Sequence, residues 1–371
     1  MTQYFSGANT TRRESLKDQI IVRSASSTPL LMQLPQVSVN HTVVEWSEDE
    51  PFQASESVRD ISAPHAQTRR EGADFAYREP HVPVRLRAIA QIDHEGMEIS
   101  NTNRASLVAG MSTTFDYHAG QLFTKVMNRI DNTLMYGQGS PTTSGTTDER
   151  RTMGLIHSSA WTGLERVHGS KTSIEDPYGV TIPGSMFSVF YDANHSALTS
   201  SMFYNQIISR AIAAGSNFDG PAWTFHCGLT AIAQVARFLI ADGGVPINER
   251  SVDAASGTGY DFMASIRLAS GHVVNFRVNR WLHEPTSTYT VNNTDYTPGS
   301  PTTEGSINKT FSGDQTIIGW EPGTVRIGWY REPGFRKVET SGDYSRVACV
   351  AEYMLQADAP LCVIGAGNIL Q

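Results

Sequence analysis

Cysteine is scarce in this chain of 371 residues: Cys227, Cys349 and Cys362 are the three present, and none stands in a CxxC spacing. An odd and scattered set excludes a disulfide framework and a thiolate metal site of the usual spacing, and it fits synthesis in a reducing compartment. Long apolar runs are missing as well, so no membrane span is expected. The opening MTQYFSGANTTRRESLK has no apolar core of the length a signal peptide needs, so the chain is expected to be made and to stay soluble. Triplets such as Asn40 to Thr42 and Asn308 to Thr310 then carry no glycan message. Positive charge is also in short supply. Lys and Arg number 29 against 37 Asp and Glu, a net charge of −8 with the two signs interspersed, which excludes an extended basic face and with it sequence-specific nucleic-acid binding. No internal repeat is visible. What is present is the composition of an ordinary soluble protein, long enough for two modest domains or one elaborate one.

The organising stretch is Thr113 to Gly137, TTFDYHAGQLFTKVMNRIDNTLMYG. Phe115, Ala119, Leu122, Phe123, Val126, Ile130 and Leu134 recur at spacings of three and four, which predicts one long amphipathic helix. Asp116 favours the positive end of the helix dipole, and Gly137 and Gly139 supply the stop. Asp131 falls outside the apolar set. Upstream, residues 1 to about 38 show little periodicity and are broken by Thr28-Pro29 and Leu34-Pro35, the pattern of an arm. Leu30, Leu31 and Leu34 on it are expected to pack on a neighbouring copy if they find no place on the chain's own body.

Strand propensity rises over Asn40 to Trp46, and the acidic run Glu48, Asp49, Glu50 with Pro51 is expected to end that strand. Residues 52 to 82 read as a polar loop. A second strand is expected over Val84 to Ile99, with Val84, Leu86, Ala88, Ala90 and Ile92 on one face. Strand, excursion and returning strand make a projecting two-stranded ribbon that needs support from another surface. Asn103 to Gly110 begins a helical lead into the long helix. Further on, Phe203, Ile207, Ile208, Ala211 and Ile212 group on one helix, and Ile232, Val235, Ala236, Leu239 and Ile240 on another over Thr230 to Ala241. The last third is β-rich, interrupted by a Thr/Asn/Pro/Gly-rich insertion from His283 to about Gly313.

Motifs that carry chemistry are weak. Phe225-His226-Cys227-Gly228 before a helix invites a thiolate at a helix N-terminus, as in a cysteine hydrolase, but adjacent residues rarely form a working Cys-His pair and Cys227 reads better as a small buried hydrophobe. Ser256-Gly257-Thr258-Gly259 lacks the rest of a phosphate-binding loop and reads as a turn. Asp93-His94-Glu95 places neighbours on opposite faces of a strand and reads as a solvated edge. Neither a catalytic residue, a cofactor site nor a metal site is assigned. Glu48, Asp49 and Glu50 on one arm of the ribbon and Arg69 and Arg70 in its loop are candidates for electrostatic registration between copies.

Taken in order, Arg13-Glu14-x-Leu16-x-Asp18, Thr28-Pro29-Leu30-Leu31, Val44-Glu45-Trp46, Arg85 to Ile92 and Asn103 to Gly110 resemble the major capsid proteins of tailed bacteriophages. Ser270 to Val274 leading to Asn279-Arg280-Trp281-Leu282, and Gly342-Asp343 followed by Ala351-Glu352-Tyr353-Met354-Leu355, are similar to later parts of that family. The resemblance implies the α+β fold of Hong Kong 97 type. Its parts would be an N-terminal arm over 1–40, an extended β-ribbon loop over 41–100, a peripheral domain over 101–160 and 325–371 with a spine helix at about 113–137, and an axial domain over 161–324 with an insertion near 283–313. It further implies a self-assembling icosahedral shell, with copies in hexamers and pentamers, a separate scaffolding protein, a portal and possible decoration protein. Such a shell encloses duplex DNA in the virion without reading its sequence, after synthesis in the host bacterial cytoplasm. The alternatives are a hydrolase using Cys227 and a β-rich tail or surface-binding protein.

Overall fold

The computed structural model describes residues 28–49, 83–105, 114–140, 149–160, 173–176, 178–183, 186–213, 216, 222–241, 263–267, 273–283, 288–293, 307–338 and 342–369. Glu50, Arg69, Arg70 and the Ser256 to Gly259 turn lie outside the described residues. The described chain forms two compact units, one from Asp93–Arg129 and Glu332–Ala351, the other from Pro29–Ile92, Ile130–Arg331 and Glu352–Gln371.

The long helix runs over Thr114–Tyr136. At 1.5 Å per residue this is about 34 Å. In the first unit its inward residues are Leu122 and Val126, both buried, and Phe123 lies 5.8 Å from Phe335. These pack on strands from Gln91–Ser100, Tyr344–Ala357 and Val325–Val338, which lie side by side in that order. Asp93 is buried and ion-paired to Arg129 Nε at 3.0 Å, while Glu95 meets Lys125 at 2.5 Å and Arg129 at 2.8 Å. The sequence reading of Asp93 as part of a solvated edge is therefore corrected. Asp93 and Glu95 are two apart, share one face of the strand, and that face is the one turned to the helix.

The second unit is built on a six-stranded sheet in the order Phe190–Asp192, Val363–Gly367, Ile317–Trp320, Trp223–Cys227, Val273–Val278, Met263–Arg267. Trp223–Cys227 and Val273–Val278 are parallel, and Ile317–Trp320 is antiparallel to its neighbours on both sides. Phe203, Trp223, Phe225, Phe276, Val235, Ile317 and Ile364 form the core around it. Full burial of such side chains contributes about 1.5–3 kcal/mol each. Phe203 comes from a helical stretch over 200–213 whose middle, Phe203–Ile208, is a π turn. Helix Leu229–Ala241 turns Ala231, Gln234 and Val235 inward, a face slightly rotated from the expected one.

Several boundaries differ from the sequence expectation. The strand expected over Val84 to Ile99 is two, Val84–Ile89 and Gln91–Ser100. They join different sheets, and the break changes the alternation, so Ile89 is buried and Ile92 is 47% exposed. The insertion near 283–313 is bounded by a paired hairpin, Thr288–Asn293 with Ile307–Ser312. Its root is fixed by stacked Tyr289 and Phe311, both buried.

Candidate assembly interface

The segment expected to be part of an arm is docked on the second unit. Pro29 opens a short helix, Pro29–Gln33, and Gln36–Ser38 then adds as a parallel strand beside Ile327–Trp329. Leu30, Leu31 and Leu34 are 0%, 5% and 3% exposed. These leucines find a place on the chain's own body, so the condition for packing them on a neighbouring copy is not met. Spaced at one, and then three and four residues, they fall on the inner side of one helical turn and its exit, and the turn is covered by the chain's own core. Met32, on the other side, is 67% exposed.

Polar groups fix this dock. The Leu31 amide donates to Asp131 Oδ1 at 2.7 Å, Gln36 Nε2 donates to the Leu31 carbonyl at 3.0 Å, and Trp329 Nε1 donates to Gln36 Oε1 at 3.0 Å. Gln33 Oε1 lies 2.7 Å from His226 Nε2. The same carboxylate of Asp131 accepts the Trp281 indole N–H at 2.6 Å. Asn279 binds the Trp281 amide through Oδ1 at 2.9 Å, which caps the turn Arg280–His283, and its Nδ2 reaches His226 Nδ1 at 3.0 Å. A neutral His226 ring with its proton on Nε2 satisfies both neighbours, and burial pushes its pKa down to about 3. The Asn279-Arg280-Trp281-Leu282 motif thus joins the long helix to the root of the N-terminal segment.

The described part of the ribbon pairs Val43–Glu48 with Val84–Ile89, Trp46 opposite Leu86. Trp46 and Leu86 face inward onto Ile182, Met186 and Phe187, and Trp46 Nε1 donates to the Asp358 carbonyl at 2.6 Å. Glu45 and Arg85 form an exposed pair at 3.5 Å on the outer face. Glu48 shares the inward face of Trp46, is half-buried, and its pKa is raised by burial and by the nearby charges of Asp358 and Asp49. Asp49 is exposed. The acidic run is therefore split: the strand continues through Glu48, and only Asp49 of the described pair stands on the surface.

The Phe225 to Gly228 motif has a structural explanation. Phe225 and Cys227 are in the core, and burial raises the thiol pKa well above its ordinary value. His226 faces away from Cys227 toward Gln33 and Asn279. No thiolate-imidazole pair exists there. A Cβ on Gly228 would stand 2.3 Å from the Asp314 carbonyl oxygen. This close approach lets Asp314 cap the following helix by accepting from the Leu229 amide at 2.8 Å and the Thr230 amide at 3.2 Å. Among the described residues no cluster of three or more His, Cys, Asp or Glu fits a metal, and no helix is long and apolar enough to cross a membrane.

What the site offers is anchorage: an N-terminal root and a ribbon root, each held by side chains far away in sequence. A family model described as SU10 major capsid protein matches residues 1–364. The chain belongs to the SU10 major capsid protein family. No curated protein matches it in sequence. Among solved structures, the capsid asymmetric unit of cyanophage A-1(L) is similar with a TM-score of 0.61 at 10% identity, covering 97% of this chain and 98% of that one. The capsid of a native GTA particle gives 0.54 at 12% identity, covering 99% and 97%. These likenesses establish the Hong Kong 97-type α+β capsid fold. As a member of this family, the protein is a phage major capsid protein, a structural protein of the virion that self-assembles into the head shell.

The sequence did not single out Asp131, Gln33, Asn279 or Glu352 as a set. Asn279 and Glu352 stood inside quoted motifs, and that was the available signal. Asp131 looked like one more polar residue on the solvent side of a helix, because its partners are separated from it by 100 and 150 residues.

Proposed function

We propose that the chain forms hexamers and pentamers in which residues 1–28 and the ribbon loop lap over neighbouring copies, enclosing duplex DNA without reading its sequence. The anchored roots carry this reading. Pro29–Gln33 is fixed by Asp131 and His226, and the ribbon is fixed by Trp46, so each projecting stretch starts from a rigid base. The contact candidates are Asp49 and Glu50 against Arg69 and Arg70 of a neighbour, together with exposed Met32. Leu30, Leu31 and Leu34 act instead by holding the N-terminal root in place.

The division into arm, ribbon loop, peripheral domain and axial domain is proposed as the functional division of the assembled subunit. Assembly uses a separate scaffolding protein and a portal, with a decoration protein as a further possible partner, in the host cytoplasm. No catalytic role is assigned to Cys227: its raised pKa and enclosed position oppose a nucleophile. Velocity sedimentation and negative-stain imaging of the purified chain, with and without the phage-encoded partners, test the reading. Closed particles of uniform diameter are expected. Subunits that stay monomeric with every partner present would overturn it.

A further inference from the structure

Asp131 is fully buried, and its two carboxylate oxygens are taken by neutral donors from segments far away in sequence. Oδ1 receives the Leu31 amide and Oδ2 the Trp281 indole. Among the described residues, the charged or titratable groups around it are few. The Trp281 turn brings Arg280, whose guanidinium lies 4.1 Å over the indole ring and whose charge favours the carboxylate. Helix Pro29–Gln33, of sequence PLLMQ, brings none. Strand Trp223–Cys227 brings neutral His226, one step removed through Gln33 and Asn279. A buried carboxylate held by neutral donors is a place where a proton removes an unfavourable charge, while each oxygen still keeps a lone pair for its donor.

We propose that Asp131 makes the docking of Pro29–Gln33 proton-dependent, holding the short helix most firmly when the carboxyl is protonated and releasing it more readily when the carboxyl is ionised. Burial holds this pKa up at about 6, against the opposing effect of the Leu31, Trp281 and Leu30 bonds and of Arg280. Undocking exposes the carboxyl to water and returns it to the ordinary carboxylate range. The docked state therefore binds the proton more tightly, so docking is strongest at low pH and weakens as pH rises through about 6. Pro29 is where residues 1–28 join the second unit. If those residues reach a neighbour, as proposed above, the device sets how firmly the root of the arm is held, and that consequence alone rests on the arm reading.

Hydrogen exchange of the purified, unassembled full-length chain tests the dock directly. Protection in peptides covering residues 29–34, corrected for the intrinsic pH dependence of exchange, is expected to be about tenfold higher at pH 5 than at pH 7.5. Every chain compared carries His226→Gln, because His226 also bonds Gln33 and its titration has the opposite sign; on that background Asp131→Asn is expected to abolish the difference. Trp281→Phe keeps the carboxyl but removes a donor that favours its ionised form, so the midpoint is expected to move to higher pH. Residues 178–183 serve as the regional control, because the neighbouring Asp176 also has a pKa raised to about 6 by burial. Thermal melting is the wrong readout, since buried His226, at about 3, and His157, at about 4, lose stability in the same range with the opposite sign. Equal protection at both pH values with Asp131 intact and His226 replaced by Gln, an unchanged pH dependence in Asp131→Asn, or an unmoved midpoint in Trp281→Phe would each overturn the proposal. A proton-dependent dock in a chain that forms no shells would leave the inference standing and the arm reading refuted.

Discussion

Glu95 in the first unit shares its two cations near the surface, whereas Glu352 in the second is enclosed with its two, and the arrangements give charge different tasks. In the first, Lys125 is 63% exposed, and Glu95 is shared between Lys125 and Arg129, while Arg129 also serves Asp93. Glu95 has a second cation if either is lost, and water screens Lys125. In the second, Glu352 is 5% exposed and lies between Arg331 at 2.8 Å and Arg150 at 3.4 Å. Asp131 likewise holds the Leu31 amide and the Trp281 indole in an enclosed place. Exposed charge adjusts a surface. Buried charge determines which segments belong together, because leaving one partner behind in the core costs more than the pair contributed.

Glu352→Ala should break the comparison most severely, by stranding the buried Arg150 guanidinium, with a loss of about 3–5 kcal/mol in urea unfolding. Replacement by Gln should cost less, since it keeps acceptor capacity toward one arginine. An alanine variant as stable as the parent would show that Arg150 and Arg331 find water at no cost.

His226 gives the next largest effect, and its sign is fixed by its depressed pKa. Burial pushes the ring down to about 3, so its contribution is complete above the ordinary histidine range and is lost as pH falls toward 3. At pH 5 the loss is about 2 kcal/mol. His226→Gln, which keeps a donor and an acceptor for Gln33 and Asn279, should flatten the acid limb of stability against pH by about this amount. Unchanged acid sensitivity would place the loss on His157, whose pKa is held down at about 4 by burial.

Lys125→Ala should have the smallest effect, about 0–1 kcal/mol, because Arg129 keeps Glu95 paired. Its effect should shrink further in high salt. A loss above about 2 kcal/mol would mean that the first unit depends on its surface pairs in the way the second depends on Glu352, and the contrast would fail.

These contrasts also explain what could be read from the sequence. The long helix was legible because Leu122, Val126, Ile130 and Leu134 repeat at helical spacing, and the observed Thr114–Tyr136 agrees closely with the expected span. The ribbon was legible from Val44 and Trp46 facing Leu86 and Ala88. The arm was misjudged where it mattered: Pro29 and Pro35 look like breakers, yet Pro29 begins a helix, a position where its missing N–H costs nothing. Asp131 and Asp93 were hidden for a common reason. Local pattern assigns a charged residue to solvent, and only long-range partners, Leu31 and Trp281 for one and Arg129 for the other, reverse that assignment. Gly228 was legible as a glycine but not as a cradle for Asp314, because that approach is set by the sheet.

The most direct test of the account compares the full chain with one lacking residues 1–28, which stops short of the docked helix. Both should show the same thermal unfolding and the same exchange protection over residues 29–34, since that dock is made within the second unit. Under assembly conditions with the phage-encoded partners, the full chain should sediment as closed shells and the truncated chain as free subunits. Shells of normal size and yield from the truncated chain would contradict the claim that anchored roots exist to deliver projecting segments to neighbouring copies.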